Sequence, residues 1–258
     1  MGWGDEIIVT GVARRLQEIQ PLPVRVLDKH GKPRRHEIWA GNPRIAPPEF
    51  TGLVQTVVNG PGRRPYIERE TADRWIWREW ECPVGEIHLT AGEREFGARF
   101  PGRVILEPNI KPEASPNKDW GRARWNTLAA ELRRRGVPVA QLGSPAAPRL
   151  DNVEWIRTGG FREAAAVLAS SALAVLPEGG LHHAAAALGI RAVVVFGGFI
   201  SPRQTGYSRH VNLFTGGQPC GMRIPCRHCA QAMSAIRPED ISRHVAALLA
   251  GKEVPSLD

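Results

Sequence analysis

Apolar residues recur at helical spacing between positions 7 and 19. Ile8, Val12 and Leu16 lie four apart, with Asp5 and Glu6 ahead of them, which predicts a helix. A short strand over Val24–Leu27 follows, then a basic stretch at 28–36. Positions 41–65 are proline-rich and read as loop, with at most a short strand over 53–58. From residue 101 the pattern becomes regular. Continuous apolar runs at 103–106, 137–142, 172–176 and 192–196 read as strands. Between them, 121–135 places Trp125, Leu128, Ala129 and Leu132 on one helical face, and 161–170 and 180–188 read as further helices. Pro238 opens a last helix carrying Ile241, Val245 and Leu248. Strands without polar alternation, interleaved with helices, imply a parallel sheet covered on both faces. The expectation is an α/β chain with a small domain at 1–100, a Rossmann-like domain at 101–250 and a tail at 251–258.

Composition adds little to that picture. The 258 residues are 42% hydrophobic and 23% charged, which excludes wholesale disorder. No apolar run reaches the roughly 18 residues of a membrane span. The first residues carry no basic region ahead of an apolar run, so no signal peptide is expected and the chain reads as cytoplasmic. The net charge of +8 favours anionic partners: phosphorylated small molecules, anionic lipid or nucleic acid.

Four segments could carry chemistry. In Leu176-Pro177-Glu178-Gly179-Gly180-Leu181-His182-His183 an apolar strand runs into two glycines and a helix start. That arrangement suits a phosphate, or is only a tight strand–helix turn. Lys118, in Pro116-Asn117-Lys118-Asp119-Trp120, sits after a strand of the same sheet, either as a point charge for a pyrophosphate or as a solvated loop lysine. In Gly2-Trp3-Gly4-Asp5, a loop ahead of a helix, Asp5 is placed as a general base or as a helix N-cap. Cys220, Cys226 and Cys229 include a Cys-x2-Cys knuckle. With His228, His210 or Cys82 as fourth ligand they would hold a metal, and otherwise they are reduced free thiols. Trp75, Trp77 and Trp80 stack on a ligand ring or belong to the core, and 29–35 reads as a solvated face that could also meet an anionic membrane surface.

The order of these segments is more specific than any one of them. Gly-Trp-Gly-Asp-Glu-Ile is followed by Asn117-Lys118-x-Trp120, then Glu178-Gly179-Gly180-Leu181-x-His183, Val195-Phe196-Gly197 with Ser201-Pro202, the cysteines, and Ile236-x-Pro238-Glu239-Asp240-Ile241. This resembles glycosyltransferase family 9, the lipopolysaccharide heptosyltransferases, over 101–250. Nearer the N-terminus the resemblance rests mainly on the Gly-x-Gly-Asp segment. It implies a GT-B-like fold: two Rossmann-type domains, here with a reduced N-terminal one on the acceptor side and a C-terminal parallel-sheet donor domain. It also implies inverting transfer from a nucleotide-diphosphate sugar to a hydroxyl of a glycan or lipid-linked acceptor. Asp5 would be the base, and Lys118, Glu178, Gly179, Gly180 and His183 would bind the donor phosphates. No cofactor would be needed for catalysis, zinc or iron at the cysteines would be structural, and contact with the inner membrane would be peripheral.

Two departures stand out. Glu178 occupies the family's aspartate position and Gly179 its serine or threonine. They keep open a rival reading as a non-catalytic nucleotide-sugar-binding module. The charge and the Arg–Trp stretch at 74–80 favour a second rival, a phage-type enzyme glycosylating DNA. Nucleic acid ranks behind the other partners because an anionic donor and acceptor already account for the charge.

Overall fold

A computed structural model of the chain describes residues 1–111, 115–144 and 146–256, so the last two tail positions lie outside the described residues. The N-terminal hundred residues hold helix α1 (Trp3–Ile19), strands β1 (Val24–Leu27), β2 (Gln55–Val58), β3 (Ile67–Glu70) and β4 (Trp75–Trp77), and helix α2 (Ala91–Ala98). Then follow β5 (Val104–Leu106), α3 (Arg122–Arg134), β6 (Val139–Gly143), β7 (Glu154–Arg157), α4 (Phe161–Ala169), β8 (Leu173–Pro177), α5 (Gly180–Ala187) and β9 (Ala192–Gly197). The chain continues through the short α6 (Pro202–Thr205), β10 (Val211–Phe214), α7 (Arg227–Ala235) and α8 (Pro238–Leu249).

Strands β5 to β10 form one six-stranded sheet in the order β10-β9-β8-β5-β6-β7, with every pairing parallel. This is the doubly wound Rossmann order. Its direction reverses between β5 and β8, where Leu106 pairs with Val175. A crevice therefore opens beyond the carboxyl ends of those two strands. The continuous apolar runs follow from burial on both faces. Ile105, Leu142, Leu176 and Phe196 point into one core layer, and Leu106, Val139, Val175 and Val195 into the other. Trp125, Leu128 and Leu132 of α3 cover the second layer with Ile241, Val245 and Leu248 of α8. Gly136 ends α3's connection at φ 75°, the left-handed region where a side chain is costly.

The N-terminal part is reduced. Its only parallel strand pair is β1 with β2, extended by a single parallel bridge between Val24 and Ile45, and β3 and β4 form an antiparallel hairpin. It has no separate core. Ile7, Ile8 and Val26 join the same apolar cluster as Ile105 and Leu176, so α1 lies against the face that α4 and α5 cover. Gly4 makes this approach close: a Cβ there would stand 2.5 Å from the His183 ring.

Several elements differ from the sequence expectation. α1 begins at Trp3, so Asp5 lies within its first turn and Gly2 is the N-cap residue. Strand β7 was not expected because it is an edge strand whose charged ends are exposed and in which only Ile156 is buried. β10 is short and α7 starts inside the cysteine segment. α2 did carry a signal: Thr90 and Glu93 form a reciprocal capping box. The basic stretch is not wholly solvated, because Arg34 makes a two-pronged pair with the buried Glu6.

Candidate functional site

The crevice at the sheet's reversal is roofed by α1 and the β3–β4 hairpin and forms a cavity of about 510 Å³. Asp5, Lys118, Glu178, Gly179, Gly180 and His183 all line it. The chain therefore brings the two sequence-predicted groups, 113 residues apart at their nearest members, into one cleft.

Asp5 is held by three donors. The Tyr66 hydroxyl donates to Oδ1 at 2.5 Å, and the Gly2 N–H and Arg64 Nε donate to Oδ2, each at 3.2 Å. The contact from Gly2 is the capping role; those from Arg64 and Tyr66 are not explained by capping. A carboxylate offers about four lone-pair sites. Oδ1, with one donor, keeps one for a further hydroxyl. Burial and the Asp5 charge push the Tyr66 phenol well above its ordinary range, so it stays a neutral donor.

On the opposite wall, Lys118 ends a 3-10 turn, Pro116–Lys118, and pairs through Nζ with Glu178 Oε2. Burial alone would raise the Glu178 carboxyl, but Lys118 first, and then His182, outweigh it and hold the group below its usual value, ionised. Gly179 has no side chain to cap α5, so N–H groups of its first turn lack intrahelical partners beside Lys118. The Gly179 N–H itself goes to His182 Nδ1, while His182 Nε2 donates to the Thr205 carbonyl, which fixes the tautomer. His183 Nδ1 meets the Tyr207 hydroxyl at 2.7 Å and Nε2 lies 4.0 Å from Glu178 Oε1. Burial, with Lys118 and His210 adding to it, pushes His183 down to about 3, so the ring is neutral.

Gly180 leaves little room for a side chain. A Cβ there would stand 3.0 Å from Trp3 Cβ and 3.1 Å from Phe161, whose rings stack at 4.4 Å on the cleft wall. Gly179 differs: its φ of 163° is extended backbone and its Cβ position is open space. The hydroxyl position of the family's serine or threonine is therefore vacant but not blocked.

Sequence reasoning missed Arg64, Tyr66, Glu107 and Arg223, all of which line the cleft. Only Glu107 had a positional signal, at the end of the first strand of the sheet. Its carboxyl accepts the Asn109 N–H at 2.9 Å and is pushed up to about 7 by burial. Of the tryptophans, Trp75 lines the cleft, whereas Trp77 and Trp80 pack against Tyr66 and the core.

Cys220, Cys226, Cys229 and His228 converge, with their ligand atoms within 4.8 Å of one another. A tetrahedral ion with bonds of about 2.3 Å places its sulfurs about 3.8 Å apart. The Cys220–Cys226 separation is 3.8 Å and Cys229–His228 Nδ1 is also 3.8 Å, while Cys220–Cys229 is closer at 3.0 Å. His228 Nε2 donates to the Gly216 carbonyl, which turns the Nδ1 lone pair towards the thiols. The set therefore fits a metal. Cys82 and His210 lie outside it: Cys82 contacts the Tyr207 hydroxyl and His210 packs beside His182.

The sequence pattern of glycosyltransferase family 9 (heptosyltransferase) matches residues 103–231, half of the chain. The chain belongs to that family. Among solved structures, this family 9 protein is similar to the family 9 glycosyl transferase of Veillonella parvula DSM 2008 at 16% identity, with 98% of this chain and 96% of that one covered and a TM-score of 0.65. It is also similar to the iron-containing dodecameric glycosyltransferase TibC of enterotoxigenic E. coli H10407, at 14% identity over 97% and 74% of the two chains, with a TM-score of 0.61. E. coli ADP-heptose lps heptosyltransferase II aligns at 20% identity and a TM-score of 0.49, over 68% of this chain and 54% of that one. The chain thus spans about half of that enzyme's length. No curated protein sequence matches it. The GT-B fold expected from the resemblance is therefore the fold of this family 9 chain, with its N-terminal unit reduced. No helix among the described residues is long and apolar enough to cross a membrane.

Proposed function

We propose that this family 9 protein is an inverting glycosyltransferase that moves a sugar from a nucleotide-diphosphate donor to an acceptor hydroxyl. The observation that carries the reading is the shared cleft: Asp5 faces it from α1, and Lys118 with the α5 N-terminus faces it from the sheet. The free Oδ1 position of Asp5 would take the acceptor proton as its oxygen attacks the anomeric carbon. Lys118 and the N–H groups at Gly180 and Leu181 would stabilise the departing diphosphate. The neutral His183 would brace Glu178 without adding charge. Residues 1–100 would form the acceptor side and 101–250 the donor side. The heptosyltransferase membership favours a heptose donor and a cell-surface glycan or lipid-linked acceptor, met from the cytoplasm with peripheral membrane contact.

The cysteine cluster would hold a structural zinc or iron ion, tying α7 to the preceding loop. Its donor set fits either, and the similar TibC is described as iron-containing. No chemical step involves it.

A thermal-shift screen against ADP, GDP, UDP, CDP and their sugars tests the donor site. A ligand at 100 times its Kd stabilises the folded state by about 2.7 kcal/mol. A shift with one diphosphate supports the reading and names the base; no shift with any of them removes it.

A further inference from the structure

We propose that Arg223 is a second cation for the donor diphosphate, presented to the cleft by the cysteine loop. This deepens the donor-site reading above and rests on it.

The loop between Cys220 and Cys226 is fixed from two sides. Asn117, one residue before Lys118, donates through Nδ2 to the carbonyls of Met222 and Ile224, each at 2.7 Å, and accepts the Cys226 N–H at 3.1 Å. Ser115 Oγ also donates to Met222, at 2.7 Å. From the N-terminal unit, Trp75 donates its N–H to Gly221, Arg74 Nε donates to Cys220, and the Arg223 N–H reaches Asp73, at 2.8–2.9 Å. The loop thus straps the turn carrying Lys118 to the β3–β4 hairpin, across the mouth of the cleft. Arg223 sits in the middle of that strap. Its guanidinium lies 5.6 Å from the Trp75 ring, and Nη1 donates to the Ala72 carbonyl at 3.2 Å.

Charge decides the role. Lys118 is matched by Glu178, and Arg64 by Asp5 and Glu70. Arg223 lines the same cleft and pairs with no carboxylate among the described residues. An incoming diphosphate therefore meets Lys118 already paired with a carboxylate, and Arg223 supplies a cation that faces the cleft without one. A guanidinium held by a ring and a carbonyl keeps further N–H groups for phosphate oxygens.

The test uses the full chain and isothermal titration with nucleoside diphosphates and the matching nucleosides. Wild type is compared with Arg223→Gln and Arg223→Lys, both checked for unchanged melting temperature. The expected result is a loss of about 10-fold in diphosphate affinity for Arg223→Gln, as for a charge-assisted contact at a half-open site. Nucleoside affinity stays unchanged, and Arg223→Lys recovers most of the loss. Equal diphosphate affinity in Arg223→Gln overturns the proposal. So does a parallel loss for nucleoside and diphosphate, which would mark a packing role through Trp75. A wild type that binds no diphosphate overturns the donor-site reading and this proposal together, whereas a binding wild type with an indifferent Arg223→Gln overturns this proposal alone.

Discussion

Tyr66 donates its hydroxyl to Asp5 Oδ1 at 2.5 Å, joining the first turn of α1 to the start of the β3–β4 hairpin. With Arg64 on Oδ2, the hairpin fixes the direction in which the remaining lone pair of Asp5 points. Asp5→Asn keeps the shape and removes the proposed base. It is expected to lower transfer by at least about 100-fold, the usual scale of general-base catalysis, with donor affinity within twofold of wild type. Tyr66→Phe is expected to retain part of the activity, since the base survives but is less well oriented. Single-turnover rates beside donor titrations check both, and retained turnover in Asp5→Asn would remove Asp5 from its role.

The buried histidines predict acid sensitivity. Burial pushes His183 to about 3 and His210 to about 4, and sets His182 well below its ordinary 6.5. The unfolded chain then binds more protons than the folded one below about 6.5, so stability is full above that pH and falls as pH drops towards 4. The lowered Glu178 acts in the same direction below its unfolded value of 4.5. Glu107, raised to about 7, acts oppositely, because its folded form holds a proton that the unfolded form releases above 4.5. The histidines outnumber it, so the melting temperature should decline from pH 7 to pH 5. A flat profile would contradict the neutral buried rings.

Glu107→Gln isolates the opposing contribution. Above about pH 7 the wild-type carboxylate is charged in a buried site with one N–H partner, so the neutral amide should stabilise the fold by on the order of 1–3 kcal/mol. At pH 5 the two proteins should melt together. Urea unfolding at pH 8 and pH 5 measures the difference.

Two glycines should respond oppositely. Gly179→Ser adds a hydroxyl in open space on extended backbone, restoring the residue type the family has there. Stability should stay within about 0.5 kcal/mol, since glycine and serine caps differ little, and diphosphate affinity should rise. Gly4→Ala drives a methyl to 2.5 Å from the His183 ring, which Tyr207 holds in place, and should cost about 1–3 kcal/mol despite alanine's better helix propensity. Chemical denaturation of both variants gives the comparison.

If the thiol and imidazole set holds the proposed ion, elemental analysis of the purified chain should find about one zinc or iron per molecule. Chelation, or Cys229→Ser, should release it and lower the melting temperature by about 5 °C or more, because ion binding is linked to folding. A metal-free protein with the same melting temperature after chelation would leave the cysteines as free thiols.

The sequence by itself determined the parallel-sheet half. Strands such as 172–176 and 192–196 are buried on both faces, so their apolar runs are uninterrupted, and helix faces such as Trp125–Leu128–Leu132 carry their own period. Glu178, Gly179, Gly180 and His183 were legible as a candidate site because they follow one strand end as neighbours in the chain, and Lys118 because it follows another strand of the same sheet. Tertiary structure alone decided the rest. Arg64, Tyr66 and Arg223 sit in irregular or hairpin segments, where no period marks a residue and function comes from what folds opposite it. The first hundred residues were legible as a small unit, but not how they are packed, because they lack a core of their own. Their apolar positions are completed only when α1 lies on α5, at a distance that Gly4 permits and His183 fills.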